Sequence, residues 1–168
     1  PATALLSSIL TKTGVFGILV ISIYVLGDKD FGMMIFVGGI VTMFVGAFFA
    51  LFQDNIKKIL AYSSMSHIGF VLVGAGLINM LGEDNSLAAG GTFLHMINHT
   101  FVKISLFLIA GVIAMNTGKV NLNDIRGYGR KKPVLMIAFL LGGATMAGVP
   151  FTSGYVSKTL LHESLLEY

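Results

Sequence analysis

The 168 residues contain no cysteine, only 8 aspartates and glutamates together, and only 11% charged residues. Without cysteine there is no disulfide framework, no thiolate metal site, no cysteine nucleophile and no ligand set for an iron–sulfur cluster. The shortage of charge excludes more. An ordinary soluble domain carries about 25% charged residues, whereas 55% of this chain is hydrophobic and too few polar side chains remain to cover a globule in water. The solvent that fits is a bilayer. Phosphate-cradling glycine motifs are missing as well: neither GxxxxGK[ST] nor a strand-linked GxGxxG occurs, so no nucleotide and no cofactor is expected.

What is there is a succession of long apolar runs separated by short polar loops, the pattern of an all-α, polytopic membrane helix bundle. Spans are expected at about 4–26, 31–52, 61–81, 87–115 and 133–166, within a single transmembrane domain. A bilayer core asks for about 20 apolar residues per helix, and each of the first four runs supplies them. The first is no signal peptide, since it contains Lys12 and lacks both a basic n-region and a cleavage site. The chain begins with proline instead of methionine and reads as a fragment of a longer polypeptide. As one helix, 133–168 would reach about 54 Å against a core of about 30 Å, so this span must break. Gly148, Pro150 and Gly154 supply the break, because proline removes a backbone donor and glycine relaxes the dihedrals.

The 11 basic residues sort by position. Lys57, Lys58, Lys119, Arg126, Arg130, Lys131 and Lys132 lie in the loops 53–58 and 116–132, and Lys29 alone lies in the loops after spans one and three. The positive-inside rule then places 53–58, 116–132 and the N-terminal end in the cytoplasm, matrix or stroma. The net charge of +3 is thus a topology signal. No basic face alternates with stacking aromatics, so nucleic acid is not an expected partner.

The other three lysines, Lys12, Lys103 and Lys158, fall inside apolar segments. Charged groups at membrane depth cost at least ~2.5 to 3.5 kcal/mol each, so they are expected to face protein or water and to carry function. His95, His99 and Lys103 stand at successive i, i+4 positions, which stack on one helical stripe rising about 12 Å over eight residues. A row of this kind suits proton relay, since histidine exchanges protons near neutral pH and a buried lysine can join it. Two other readings stay open. Two histidines at i, i+4 also occur in zinc sites, but no glutamate follows His95, and no cysteine or carboxylate lies near enough in sequence to complete one. A hydrogen-bonded packing row is the third reading. For Lys12 the structural alternative is an ion pair, and for Lys158 an interface anchor beside a proline kink.

His67, with Ser66 and Tyr62, forms a polar patch expected at the cytoplasmic end of the third span, an auxiliary site suited to helix–helix hydrogen bonding or proton handling. Gly38, Thr42 and Gly46 form a small-residue stripe expected at a close helix contact. Asp54 with Lys57 and Lys58 reads as interfacial, and His162, Glu163 and Glu167 are expected to face the outer surface.

Five ordered motifs carry a family resemblance: Thr11-Lys12-Thr13-Gly14, Asp54 through Ser63, His95-Met96-Ile97-Asn98-His99 with Lys103, Asp124-Ile125-Arg126-Gly127, and Gly148 through Lys158. Together the chain resembles the antiporter-like, proton-conducting subunits shared by respiratory complex I, Mrp-type sodium/proton antiporters and energy-converting hydrogenases. The Gly154-Tyr155-Val156-Ser157-Lys158 ending leans toward the hydrogenase or Mrp branch. The resemblance implies an inverted-repeat transporter fold of which this is a C-terminal part. It matches Lys12 to the family's central bridging lysine and His95, His99 and Lys103 to its histidine/lysine row. Lys158 matches the lysine on its second broken helix, which leads to the outer proton exit or a neighbouring subunit. The family's first half, with its glutamate–lysine pair, is not in the chain, which alone is not expected to complete a channel. The implied partners are other membrane subunits, the lipid bilayer and protons, with sodium left open. The implied location is a bacterial or archaeal cytoplasmic membrane, an organellar inner membrane being the other choice. Any redox chemistry of the assembly would belong to partner subunits. The competing reading is a non-conducting scaffold that holds partners, and a metal-dependent intramembrane enzyme is a third.

Overall fold

In the computed structural model the described residues are 5–82 and 86–166. Helix α1 runs over 6–26 in three stretches: Leu6–Leu10 and Ile21–Leu26 are π-wound, and Thr11–Val20 between them is α-helical. There follow α2 (Lys29–Leu51), α3 (Ile56–Leu81), α4 (Ser86–Thr117), the single turn α5 (Tyr128–Lys131), α6 (Pro133–Ala147) and α7 (Ser153–Leu166). The segment 6–25, α2, α3 and α4 are long and apolar enough to cross a membrane, and α6 is a shorter apolar helix. The fold is an all-α, polytopic membrane bundle whose last span is discontinuous. The beginning of the first expected span, part of the loop before α4, and Glu167 lie outside the described residues.

Local chemistry moves one boundary. Asn55 accepts hydrogen bonds from the amides of Lys57 (3.0 Å) and Lys58 (3.4 Å), an N-cap that starts α3 ahead of the apolar run. Lys57 and Lys58 therefore belong to the first turn of α3 instead of a loop. His67 consequently lies near mid-helix, and not at the end of the span as the hydropathy pattern suggests. The two basic loops meet: the amide of Ile56 donates to Val120 O (3.0 Å) and that of Leu122 to Asp54 O (2.8 Å). Residues 53–58 and 116–132 thus share one end of the bundle.

Helix α3 is the centre of the molecule, and α2 reaches it through backbone contact. Gly32, Gly39 and Gly46 recur every seven residues on the buried side of α2 and face Gly69 and Gly76 of α3. A Cβ on Gly69 would lie 2.5 Å from the amide nitrogen of Met43 and 2.7 Å from the Gly39 carbonyl. Small residues are what permit such proximity between membrane helices. The expected Gly38, Thr42, Gly46 stripe is thereby corrected at one position: Gly46 packs, while Gly38 is exposed with open space where a Cβ would be. The stripe that packs is offset by one residue in its upper part, because contact follows a seven-residue repeat that a four-residue step does not track.

Two apolar clusters bracket the middle of the α3–α4 seam. Ile56 and Leu60 pack with Leu106, Phe107, Ile109, Ala110 and Ile113 toward one end, and Val71, Ala75, Leu77 and Ile78 pack with Val15, Leu19 and Ala88 toward the other. Ser63, Ser64 and His67 of α3 and His95, His99 and Lys103 of α4 occupy the layer between them.

The last span is discontinuous, as expected, with α6 ending at Ala147 and α7 beginning at Ser153. Gly148 takes the left-handed conformation (φ 82°), where its amide bonds Ala144 O and the Val149 amide bonds Ala144 O at 3.1 Å, closing α6. At about 1.5 Å per residue, α6 and α7 each reach only about 21 to 23 Å, short of a full hydrocarbon core of about 30 Å. Gly154 then presses against the Thr145 carbonyl, leaving no room for a side chain.

Gly69→Ala should destabilise the α2–α3 pair by about 1 to 3 kcal/mol, read as a lower thermal midpoint of the full-length protein in detergent. Gly38→Ala should cause no loss. Equal midpoints for the Gly69 variant and the parent would contradict the packing described.

Candidate functional site

The polar layer holds three groups of side chains. The first joins Lys12 of α1 to Lys103 of α4. In the π-wound start of α1, Ser7 O accepts both Lys12 Nζ and Thr11 Oγ1, each at 2.9 Å. Ser7 Oγ meets Ser64 Oγ at 2.8 Å, and Ser64 Oγ donates to Leu60 O at 2.9 Å. The same Leu60 carbonyl accepts Lys103 Nζ at 2.8 Å, and Lys103 Nζ also donates to Ser63 Oγ. Lys103 is 0% exposed, and among the described residues its ammonium is held by neutral oxygens alone. Among the described residues the one ion pair is Lys119–Asp124 (3.9 Å), at the basic end of the bundle.

The second group is a stack of three imidazoles. His67 of α3 lies with its ring 5.3 Å from His95 and 5.3 Å from His99, and His95 and His99 are 6.3 Å apart, all near parallel. His67 Nδ1 meets His95 Nε2 at 3.1 Å, and His95 Nδ1 meets Ser157 Oγ of α7 at 3.1 Å. His99 Nε2 is buried and has no hydrogen-bond partner among the described residues. No group of three or more His, Cys, Asp or Glu side chains among the described residues is arranged to hold a metal ion.

The third group is Lys158. Its Nζ donates to Met146 O (2.8 Å) and Ala147 O (3.1 Å), carbonyls that the end of α6 leaves without helical partners. An ammonium here also meets the negative end of the α6 dipole. It stands 5.3 Å from the centre of the Phe70 ring, which in turn stacks against His67 at 5.9 Å.

The structure thus brings His67, His95 and His99 together, ties Lys12 to Lys103 through serines and one carbonyl, and sets Lys158 on the far side of Phe70. Tyr62 and Ser66 turn the other way: the Tyr62 ring stacks on Phe49 of α2 at 5.8 Å, and Ser66 lies where α2 crosses at Gly46. Gly148 and Gly154 stand at the break itself, with Pro150 between them.

Set against known proteins, residues 1–168 match the family model described as NADH:quinone oxidoreductase/Mrp antiporter, TM. The chain belongs to this family. Formate hydrogenlyase subunit 3 of Escherichia coli (strain K12) is 36% identical, over 99% of this chain and 28% of its own length. A probable K(+)/H(+) antiporter component of Rhizobium meliloti (strain 1021) is 32% identical, over 99% of this chain and 16% of its own. NAD(P)H-quinone oxidoreductase chain 4 1 of Synechococcus elongatus is 33% identical, over 94% and 29%. The chain spans less than a third of the length of each of these curated relatives.

Within this NADH:quinone oxidoreductase/Mrp antiporter family member, sequence reasoning assigns no individual role to Ser7, Ser63, Ser64, Ser157 or the Leu60 carbonyl. One signal exists for some of them: Leu60, Ser64 and His67 fall at i, i+4 and i+7, the periodicity of a single helical face. Nothing local marks Ser157, which reaches His95 across 62 residues of chain.

Gly148→Ala would place a Cβ 2.9 Å from Lys158 Cδ, at a backbone conformation that costs a residue with a side chain about 1 to 2 kcal/mol. Hydrogen–deuterium exchange across 144–158 should quicken in the full-length variant; unchanged protection would contradict the role of Gly148 and Lys158 in closing α6.

Proposed function

We propose that this chain is part of a proton-translocating, antiporter-like membrane protein, and that protons pass among Lys12, Lys103, His99, His95, His67 and Lys158. The carrying observation is Lys103, fully buried and, among the described residues, held only by a carbonyl and a hydroxyl, one turn from the histidine stack. A structural lysine at such depth would be expected to sit against a carboxylate that balances it. Neutral partners instead let the group exist with or without its proton, since Leu60 O and Ser63 Oγ also bond within their own helix. Histidines complete the row, because each imidazole can take a proton on one nitrogen and release one from the other.

The relatives' names support the wider reading. They describe subunits or chains of a formate hydrogenlyase, a K(+)/H(+) antiporter and a quinone oxidoreductase. By likeness, this chain works beside other membrane subunits, and charge or conformational changes there shift proton occupancy in the row. We assign it to a bacterial or archaeal cytoplasmic membrane, with 53–58 and 116–132 on the cytoplasmic side from the positive-inside distribution of their lysines and arginines. Protons, in place of sodium, are the ion favoured by a row made of nitrogen bases.

In the intact complex, Lys12→Ala and Lys158→Ala together should lower proton pumping by about tenfold or more, the scale on which a positioned proton-transfer group matters. A pH-sensitive dye in sealed vesicles reads this directly. Undiminished pumping by the double variant would sink the relay and leave a scaffold.

A further inference from the structure

Ser157 sits where the direction of a whole hydrogen-bond chain is decided. It lies on α7, is 0% exposed, and shares a contact with His95 of α4. Its hydroxyl donates to Gly154 O at 3.2 Å, and the same Oγ is 3.1 Å from His95 Nδ1. A hydroxyl has one hydrogen, and a carbonyl oxygen can only accept. With that hydrogen directed to Gly154, Ser157 has only lone pairs to offer His95, so the proton between them resides on His95 Nδ1. A neutral imidazole carries a single ring proton. Nε2 of His95 is then a bare acceptor, and the proton shared with His67, 3.1 Å away, must be on His67 Nδ1.

We propose that Ser157 is a positioning residue that holds both His95 and His67 as the Nδ1-protonated tautomer, giving the chain from His67 through His95 and Ser157 to Gly154 O one direction. Gly154 is a suitable anchor. It is locked against the Thr145 carbonyl in the first turn of α7, and Asn98 of α4 holds the adjacent Ser153 carbonyl at 2.9 Å.

The direction has a consequence for the relay, and this part of the inference rests on the proton-transfer reading above. A proton arriving at Nε2 of neutral His67 forms one N–H bond there. The Nδ1–H bond of His67 then breaks as an N–H bond forms at Nε2 of His95. His67 is left neutral and Nε2-protonated, His95 is cationic, and charge has moved by one ring. The reverse tautomers, with Nε2 already protonated on His95, could not accept at that position. Turning the Ser157 hydroxyl toward His95 would select those reverse tautomers without moving the backbone.

The test is solid-state NMR of the full-length protein in lipid, with 15N-labelled histidine. In the parent, the Nδ1 signals of neutral His67 and His95 should be of the protonated type and their Nε2 signals of the bare type. Ser157→Ala should shift His95 toward the Nε2-protonated form, and Ser157→Thr, which keeps the hydroxyl, should restore the parent pattern. A parent in which His95 carries its proton on Nε2 would overturn the assignment, as would an alanine variant with unchanged signals or a threonine variant that behaves like alanine. The nitrogen signals report the tautomers whether or not protons cross the membrane. Failure of this assignment is therefore distinguishable from failure of the transport reading.

Discussion

An ammonium group at membrane depth needs oxygen atoms around it, and at Lys103 those atoms come from one turn of helix backbone and a serine. Leu60 O is the hub: it accepts Lys103 Nζ at 2.8 Å and the hydroxyls of Ser63 and Ser64 at 2.9 Å each. Desolvating an ion costs several kcal/mol even after relaxation, and a buried charge is retained only where hydrogen bonds offset that cost. The oxygens must be held in place, so α3 cannot drift. Apolar packing of Ile56 and Leu60 against Leu106, Phe107 and Ala110 fixes that turn from one side.

The glycines serve the same end from the opposite side of α3. With Gly32, Gly39 and Gly46 against Gly69 and Gly76, α2 and α3 approach at backbone distance and behave as one unit. Such a pair presents a rigid wall bearing Ser63, Ser64 and His67 to α1 and α4. Across the layer, α6 and α7 contribute through their break. Where α6 stops, its terminal carbonyls take the Lys158 ammonium; where α7 begins, Ser157 reaches His95. Unwound backbone is tolerated at membrane depth when protein buries it or a polar cavity meets it, and here the break contributes directly to the polar layer.

Much of this is legible in the sequence because hydropathy and charge are read residue by residue. The helical membrane bundle follows from run length, and the break from Gly148, Pro150 and Gly154, whose backbone properties are their own. The α4 histidine/lysine stripe follows from i, i+4 spacing alone. Helix-to-helix register is harder. A four-residue step picks Gly38 in place of Gly39, because which face of an evenly apolar helix meets its neighbour depends on the neighbour. Hydropathy sets His67 at a helix end because its signal begins after Lys58, whereas the Asn55 cap starts the helix before it. Tyr62 and Ser66 stand close to His67 in sequence, but successive helix positions point in different directions, and these two face α2. Ser157 is tertiary information throughout: a serine in a mixed segment means nothing until α7 is folded back against α4.

The central claim is that Lys103 exchanges its proton, and does not merely supply charge. Lys103→Arg separates the two, because arginine stays protonated in proteins while keeping the positive charge and donors that Leu60 O and Ser63 Oγ require. Proton translocation by the intact complex carrying this change is the most direct measurement. The account predicts that the complex assembles and that translocation falls to a small fraction of the parent rate. Translocation at the parent rate with arginine in place would contradict it.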